Sequence, residues 1–116
     1  MNIAFVLSAG FYDAYYNKAQ KVRRILQDKT NAIFKDHDFI LIPSTPATAF
    51  FAGEIKDPVT MYLQDIYTVQ ANLTGIPAVS IPSGQHSNGM PFGIQVMAPR
   101  FKEHDMLAFA SQIHDI

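Results

Sequence analysis

Cysteine is absent from the 116 residues. That excludes disulfides and thiolate metal sites and leaves the redox compartment unreadable. Charge is also sparse: nine Lys and Arg against ten Asp and Glu give a formal net charge of -1. Such a balance offers no electrostatic argument for nucleic acid or an acidic membrane surface. No apolar run is long enough to span a bilayer. The opening stretch MNIAFVLSAG lacks the basic n-region of a secretory leader, and its short apolar run flows into a helical pattern. It is therefore read as part of the fold rather than as a signal peptide. Repeats and low-complexity segments are missing too. What remains is a chain with 48% hydrophobic and 16% charged residues, which is not the composition of a disordered tail. Its length fits one domain or part of one, and the default expectation is a soluble, cytoplasmic chain.

Tyr12, Tyr15, Ala19, Val22, Leu26 and Ile33 recur at helical spacing and predict a helix over 11–34. DFILIP (38–43) is a short apolar run closed by proline, as in a buried strand, and PSTPATAFFAG reads as an extended loop. Asp57-Pro58 forms a helix start, with Asp57 able to cap free N–H groups and Pro58 suited to the first helical position. This second helix is expected to run to about Leu73, before Gly75 and Pro77. PAVSIP (77–82) and PFGIQVMA (91–98) predict two more strands, ending cleanly at prolines in the first case, with Asn88-Gly89 favouring a tight hairpin between them. A last helix over 103–113 presents Met106, Leu107, Ala110 and Ile113. The order α, β, α, β, β, α predicts an α/β fold with a mixed sheet covered by helices. Three such apolar strands are few for a sheet buried on both faces, so the sheet is expected to continue in further chain.

One residue fits poorly. At about 100° per residue, Val59, Tyr62, Ile66, Val69 and Leu73 form an apolar stripe, and Asp65, Thr68 and Asn72 form a polar ridge at its edge. No Lys or Arg lies in that segment; the nearest, Lys56, precedes the helix. A partly desolvated carboxylate accepts hydrogen bonds only and requires a cation or several N–H donors. Two readings stay open on the residues alone. Asp65 faces solvent or bonds a loop backbone, or it lines a cleft and binds a ligand ammonium group.

LSAGFYDAYYNKAQKVR (7–23), DPVTMYLQDIYTVQANLTGIPAVSIP (57–82) and GMPFGIQVMAP (89–99) together resemble the C-terminal part of amidase-signature enzymes. Within that family they look most like the glutamine-hydrolysing subunits of glutamyl-tRNA(Gln) amidotransferases. The resemblance covers nearly the whole chain and implies a layered α/β/α fold around a large mixed sheet. It implies a Ser–cis-Ser–Lys triad on a Gly/Ser-rich segment well upstream. Ser8, Ser44, Ser80, Ser83, Ser87 and Ser111 lie in no such run, so no catalytic residue is assigned in this chain. The acid of the YLxD motif falls on Asp65, and the family uses it to hold the α-amino group of glutamine. The family's arginine for the glutamine carboxylate would fall just before Met1. By the same implication the chain is one segment of a single domain, inactive alone. The complete subunit would release ammonia to amidate glutamyl-tRNA on a partner subunit that uses ATP and magnesium. Two alternatives remain: another amidase-signature hydrolase, or a non-catalytic binding or scaffold module derived from one.

Other features are read as structural. Lys18, Lys21 and Arg24, with Arg23 beside them, form a short row on the first helix, more in keeping with a solvated face than a tRNA contact. His37, His86, His104 and His114 have no metal-ligand spacing, and no metal is assigned. Tyr12, Tyr15, Tyr16 and Met61 are taken as packing residues. The loops STPAT and SGQHSNG are placed, by position only, at the edge of a site near the carboxyl ends of the strands.

Overall fold

A computed structural model of the chain describes residues 15–114. The first helix, α1, spans Asn17–Ile33; the start of its predicted range and Tyr12 lie outside the described residues. Strand β1 is Ile40–Pro43. Helix α2 is Pro58–Leu63, and it begins as its residues dictate: the Asp57 carboxylate accepts from the Thr60 backbone N–H and from Thr60 Oγ1 at 3.2 and 2.7 Å. Those bonds hold the Asp57 carboxyl below the usual carboxylate range. Helix α3 is Val69–Thr74, closed by Gly75 in the left-handed region at φ 73°. Strands β2 (Ala78–Gln85) and β3 (Pro91–Met97) precede α4 (Glu103–His114).

The sheet order is β1-β3-β2. Both ladders are antiparallel, so β1 and β2 run the same way on either side of β3. Val96 is paired with Leu41 and Val79, and its neighbour Met97 with Ile40 and Ala78. Successive side chains face opposite sides of a sheet, so the second half of β3, Gln95 to Met97, is buried on both sides. On one face Val96 and Ile81 pack with Ala98, Met106 and Ala110, which brings in α4. On the other, Met97 packs with Ala71 of α3 and Ile76, with Phe34 alongside. Helices thus cover both faces of a sheet, the α/β layering expected.

Several expectations are corrected. The helix predicted as one piece from Asp57 to Leu73 is two short helices joined through 64–68. The stripe chosen for burial is exposed instead: Val59 is 62% accessible and Tyr62 72%, and Ile66, Val69, Leu73 and Met61 are also exposed. Periodicity identifies an apolar face but not what covers it, and among the described residues nothing does. Leu107 on α4 is likewise exposed, while Met106 and Ala110 of the same predicted face are buried. Nor does Pro82 end its strand. β2 continues to Gln85 past a register shift between Pro82 and Gly84, because an edge strand tolerates a missing N–H on its outer side.

Gly93 shows how tightly the strands meet. A Cβ there would lie 2.7 Å from the Ile81 carbonyl oxygen and 3.3 Å from each of the Ser44 and Ser80 hydroxyl oxygens. The first contact is backbone and cannot yield cheaply. Gly93→Ala is expected to destabilise the fold by about 1–3 kcal/mol, as overpacking does. The check is the urea midpoint of the complete protein carrying this chain, and an unchanged midpoint would refute the close approach.

Candidate functional site

The site grows from the join between α2 and α3. Across it the backbone bonds tighten to i→i+3 spacing: Asp65 N–H donates to the Tyr62 carbonyl at 3.2 Å, Ile66 N–H to Leu63 at 3.3 Å, and Thr68 N–H to Asp65 at 3.1 Å. This is a short 3₁₀ link, in which side chains at i and i+3 eclipse. Asp65 and Thr68 therefore share one edge, as the ridge in the sequence requires. Thr68 Oγ1 donates to the Asp65 carbonyl at 3.1 Å, and Asn72 Nδ2 to the Thr68 carbonyl at 3.2 Å. The ridge Asp65–Thr68–Asn72 survives the break in the helix and is bound together by these hydrogen bonds.

Asp65 itself is exposed. Among the described residues its carboxylate has no hydrogen-bond or ion-pair partner. An ionised carboxylate so placed offers acceptor oxygens to whatever cation or N–H donor arrives.

Next to Asp65, Thr68 and Asn72 line an open cavity of about 350 Å³ whose polar walls also include Ser44, Thr45, Ser80 and Gln95. Ser44 Oγ and Ser80 Oγ are 2.6 Å apart. Asp65 is not one of the wall residues; it stands one turn before Thr68. Ser44 belongs to the STPAT loop placed there by position, whereas Ser80 and Gln95 are missed by motif reasoning. Their signal is period two: Ser80 and Gln95 are register partners on the strand face opposite Val79 and Val96.

The two loops placed near the strand ends do meet. Asn88 Nδ2 donates to Thr48 Oγ1 at 3.3 Å. Thr45, Pro46, Thr48, His86 and Phe92 border a second cavity of about 430 Å³, which shares Thr45 with the first. The hairpin between β2 and β3 closes through Gly89 N–H donating to the His86 carbonyl at 2.8 Å, with Gly89 at φ 83°.

The basic row does not gather into a patch. Arg24 pairs with Asp28 at 3.2 Å along α1. Arg23 Nε donates to the Leu73 carbonyl at 2.7 Å and so ties α1 to the end of α3; Lys18 and Lys21 are exposed. His37 Nδ1 donates to the Ile33 carbonyl at the helix-to-strand junction. Tyr15 is exposed and Tyr16 half-buried. Among the described residues no group of three His, Cys, Asp or Glu could hold a metal ion. None of the described helices is long and apolar enough to cross a membrane.

The family model described as Amidase matches residues 1–107. A Thermotoga maritima protein, named as the A subunit of glutamyl-tRNA(Gln) amidotransferase, is 50% identical over 109 residues, covering 94% of this chain and 23% of the relative. Its namesake from Halothermothrix orenii is 49% identical over 106 residues, 91% of this chain and 22% of that protein. The crystal structure of the Thermotoga maritima subunit superposes with a TM-score of 0.79 at 51% identity, over 89% of this chain and 23% of that one. The chain thus spans less than a quarter of the length of the relatives it matches.

Proposed function

The chain belongs to the amidase family, and from that premise we propose that it forms one wall of the glutamine site in the amidase subunit of a glutamyl-tRNA(Gln) amidotransferase. The observation that carries this is the half identity, over some nine-tenths of the chain, to proteins of that name. In this reading the chain is the C-terminal segment of the subunit. The Ser–cis-Ser–Lys triad and the arginine for the glutamine carboxylate come from the rest of it, and the segment alone is inactive. Asp65 binds. Its exposed carboxylate, without a partner among the described residues, takes the α-ammonium of glutamine as the missing cation and orients the side-chain amide toward the nucleophile. Water is the second substrate, and glutamate and ammonia are the products.

The ammonia would then amidate glutamyl-tRNA(Gln) on another subunit, which binds ATP and magnesium. The work would take place in the cytoplasm.

A segment exchange tests the reading. The matching stretch of the Thermotoga maritima subunit is replaced by this chain, and ammonia release from glutamine is measured in the assembled enzyme. The expected result is activity within about tenfold of the parent, a penalty of no more than ~1.4 kcal/mol. The chain alone is expected to release none. A folded chimera that hydrolyses other amides but not glutamine would move the chain to another amidase-family hydrolase.

A further inference from the structure

Gln95 lies midway along the central strand β3, between Ile42 of β1 and Ser80 of β2, and is only 6% exposed. An apolar residue would fill such a place without cost. A primary amide there must find hydrogen-bond partners or forfeit its hydration. Its Nε2 donates to the Tyr67 carbonyl at 2.7 Å. Tyr67 belongs to the 3₁₀ link, outside both α2 and α3, so its carbonyl is available to a donor from elsewhere.

The link needs such an anchor. Three-ten bonds have poorer geometry than α-helical ones, and stretches of this kind within helices often mark hinges. Within 64–68 the side-chain bonds run back along the same segment, Gln64 Nε2 to the Thr60 carbonyl and Thr68 Oγ1 to the Asp65 carbonyl. The bond from Gln95 is the one that joins the described link to the sheet. It grips the chain two residues past Asp65, and Thr68, the next residue, holds the Asp65 carbonyl through both its N–H and its hydroxyl.

We propose that Gln95 is a positioning residue: through its buried amide on the Tyr67 carbonyl it sets where the sheet presents the Asp65 carboxylate, and so selects substrates that carry an α-ammonium group. The inference rests on the reading that Asp65 receives that group. Although Gln95 also borders the cavity, its bond to Tyr67 lets it act through the residue that receives the ammonium.

The test uses the complete assembled subunit carrying this chain. Its substrates are glutamine and 4-carbamoylbutanoate, the same amide without the α-amino group. Gln95→Met keeps the length and removes the donor. It is expected to raise KM for glutamine about five- to tenfold with kcat changed at most about twofold. For the amino-less amide kcat/KM should fall by a factor at least about threefold smaller than for glutamine. Combined with Asp65→Ala it should cost nothing further, because both changes act on one interaction. Equal losses on the two substrates, or losses that multiply in the double variant, overturn the proposal, since a general role in holding the sheet moves both reactions. Should Gln95→Met not fold, Thr68→Val at the exposed link is measured instead. It should raise KM for glutamine about threefold and affect the amino-less amide by a smaller factor; equal effects again overturn the proposal. An impaired Asp65→Ala beside a wild-type Gln95→Met removes the positioning role alone. Wild-type kinetics in Asp65→Ala removes the functional reading beneath it as well.

Discussion

Replacing Asp65 with alanine in the complete subunit is expected to lower kcat/KM for glutamine by about tenfold or more. The size follows from the charged hydrogen bond that the substitution removes. Such a bond contributes roughly 1.5–3 kcal/mol, and about 1.4 kcal/mol is a factor of ten. The effect should enter mainly through KM, because the ammonium is held in ground state and transition state alike. Folding should be spared: the carboxylate is exposed and no described residue depends on it, while the bonds that shape the link use the Asp65 backbone. Asp65→Asn keeps the shape and removes the charge, and should behave like the alanine variant. Steady-state ammonia release checks both. Wild-type constants in the alanine variant would take Asp65 out of the site.

The largest expected effect on stability lies in the core beneath the site. Met97 is fully buried at the end of the central strand β3, packed with Ala71, Ile76, Phe34, Ile40 and Ile42. That cluster is what presses α3, and with it Thr68 and Asn72, onto the sheet. Met97→Ala is expected to cost about 2–5 kcal/mol, the range for emptying a packed position of this size. The unfolding midpoint of the complete subunit measures it, and a shift equivalent to less than about 1 kcal/mol would contradict the packing described. Leu107→Ala on exposed α4 surface serves as the comparison, with little change expected in the described fold.

Much of this was legible in the residues, and the failures have physical causes. Asp57-Pro58 and Gly75 marked the outer ends of the α2–α3 segment because capping chemistry is local. The break at 64–68 was not marked, since YLQDIYTV contains neither Gly nor Pro and has good helical periodicity. What accompanies the break is a long-range hydrogen bond, Gln95 to Tyr67, 28 residues apart, and no local pattern contains it. The strands were found from their apolar runs, yet β2 outlasted Pro82 because the bulge depends on the partner strand. The ridge Asp65–Thr68–Asn72 was legible, since three-residue spacing survives in both 3₁₀ and α geometry. Its neighbour Ser80 was not: Ser44, in the loop placed there by position, follows β1, and the two hydroxyls meet only because β1 and β2 flank β3. The apolar stripe was correctly recognised as apolar and incorrectly expected to be covered. A chain spanning about 22% of its relatives' length is consistent with further protein lying over that face.

In the proposed reading glutamine supplies the cation that Asp65 lacks among the described residues. This is tested most directly by a crystal structure of the complete subunit carrying this chain, with glutamine bound. The α-amino nitrogen is expected about 2.7–2.9 Å from an Asp65 carboxylate oxygen, the range of a charge-assisted hydrogen bond. Glutamine bound with its amino group held by another residue, and Asp65 facing water, would contradict it.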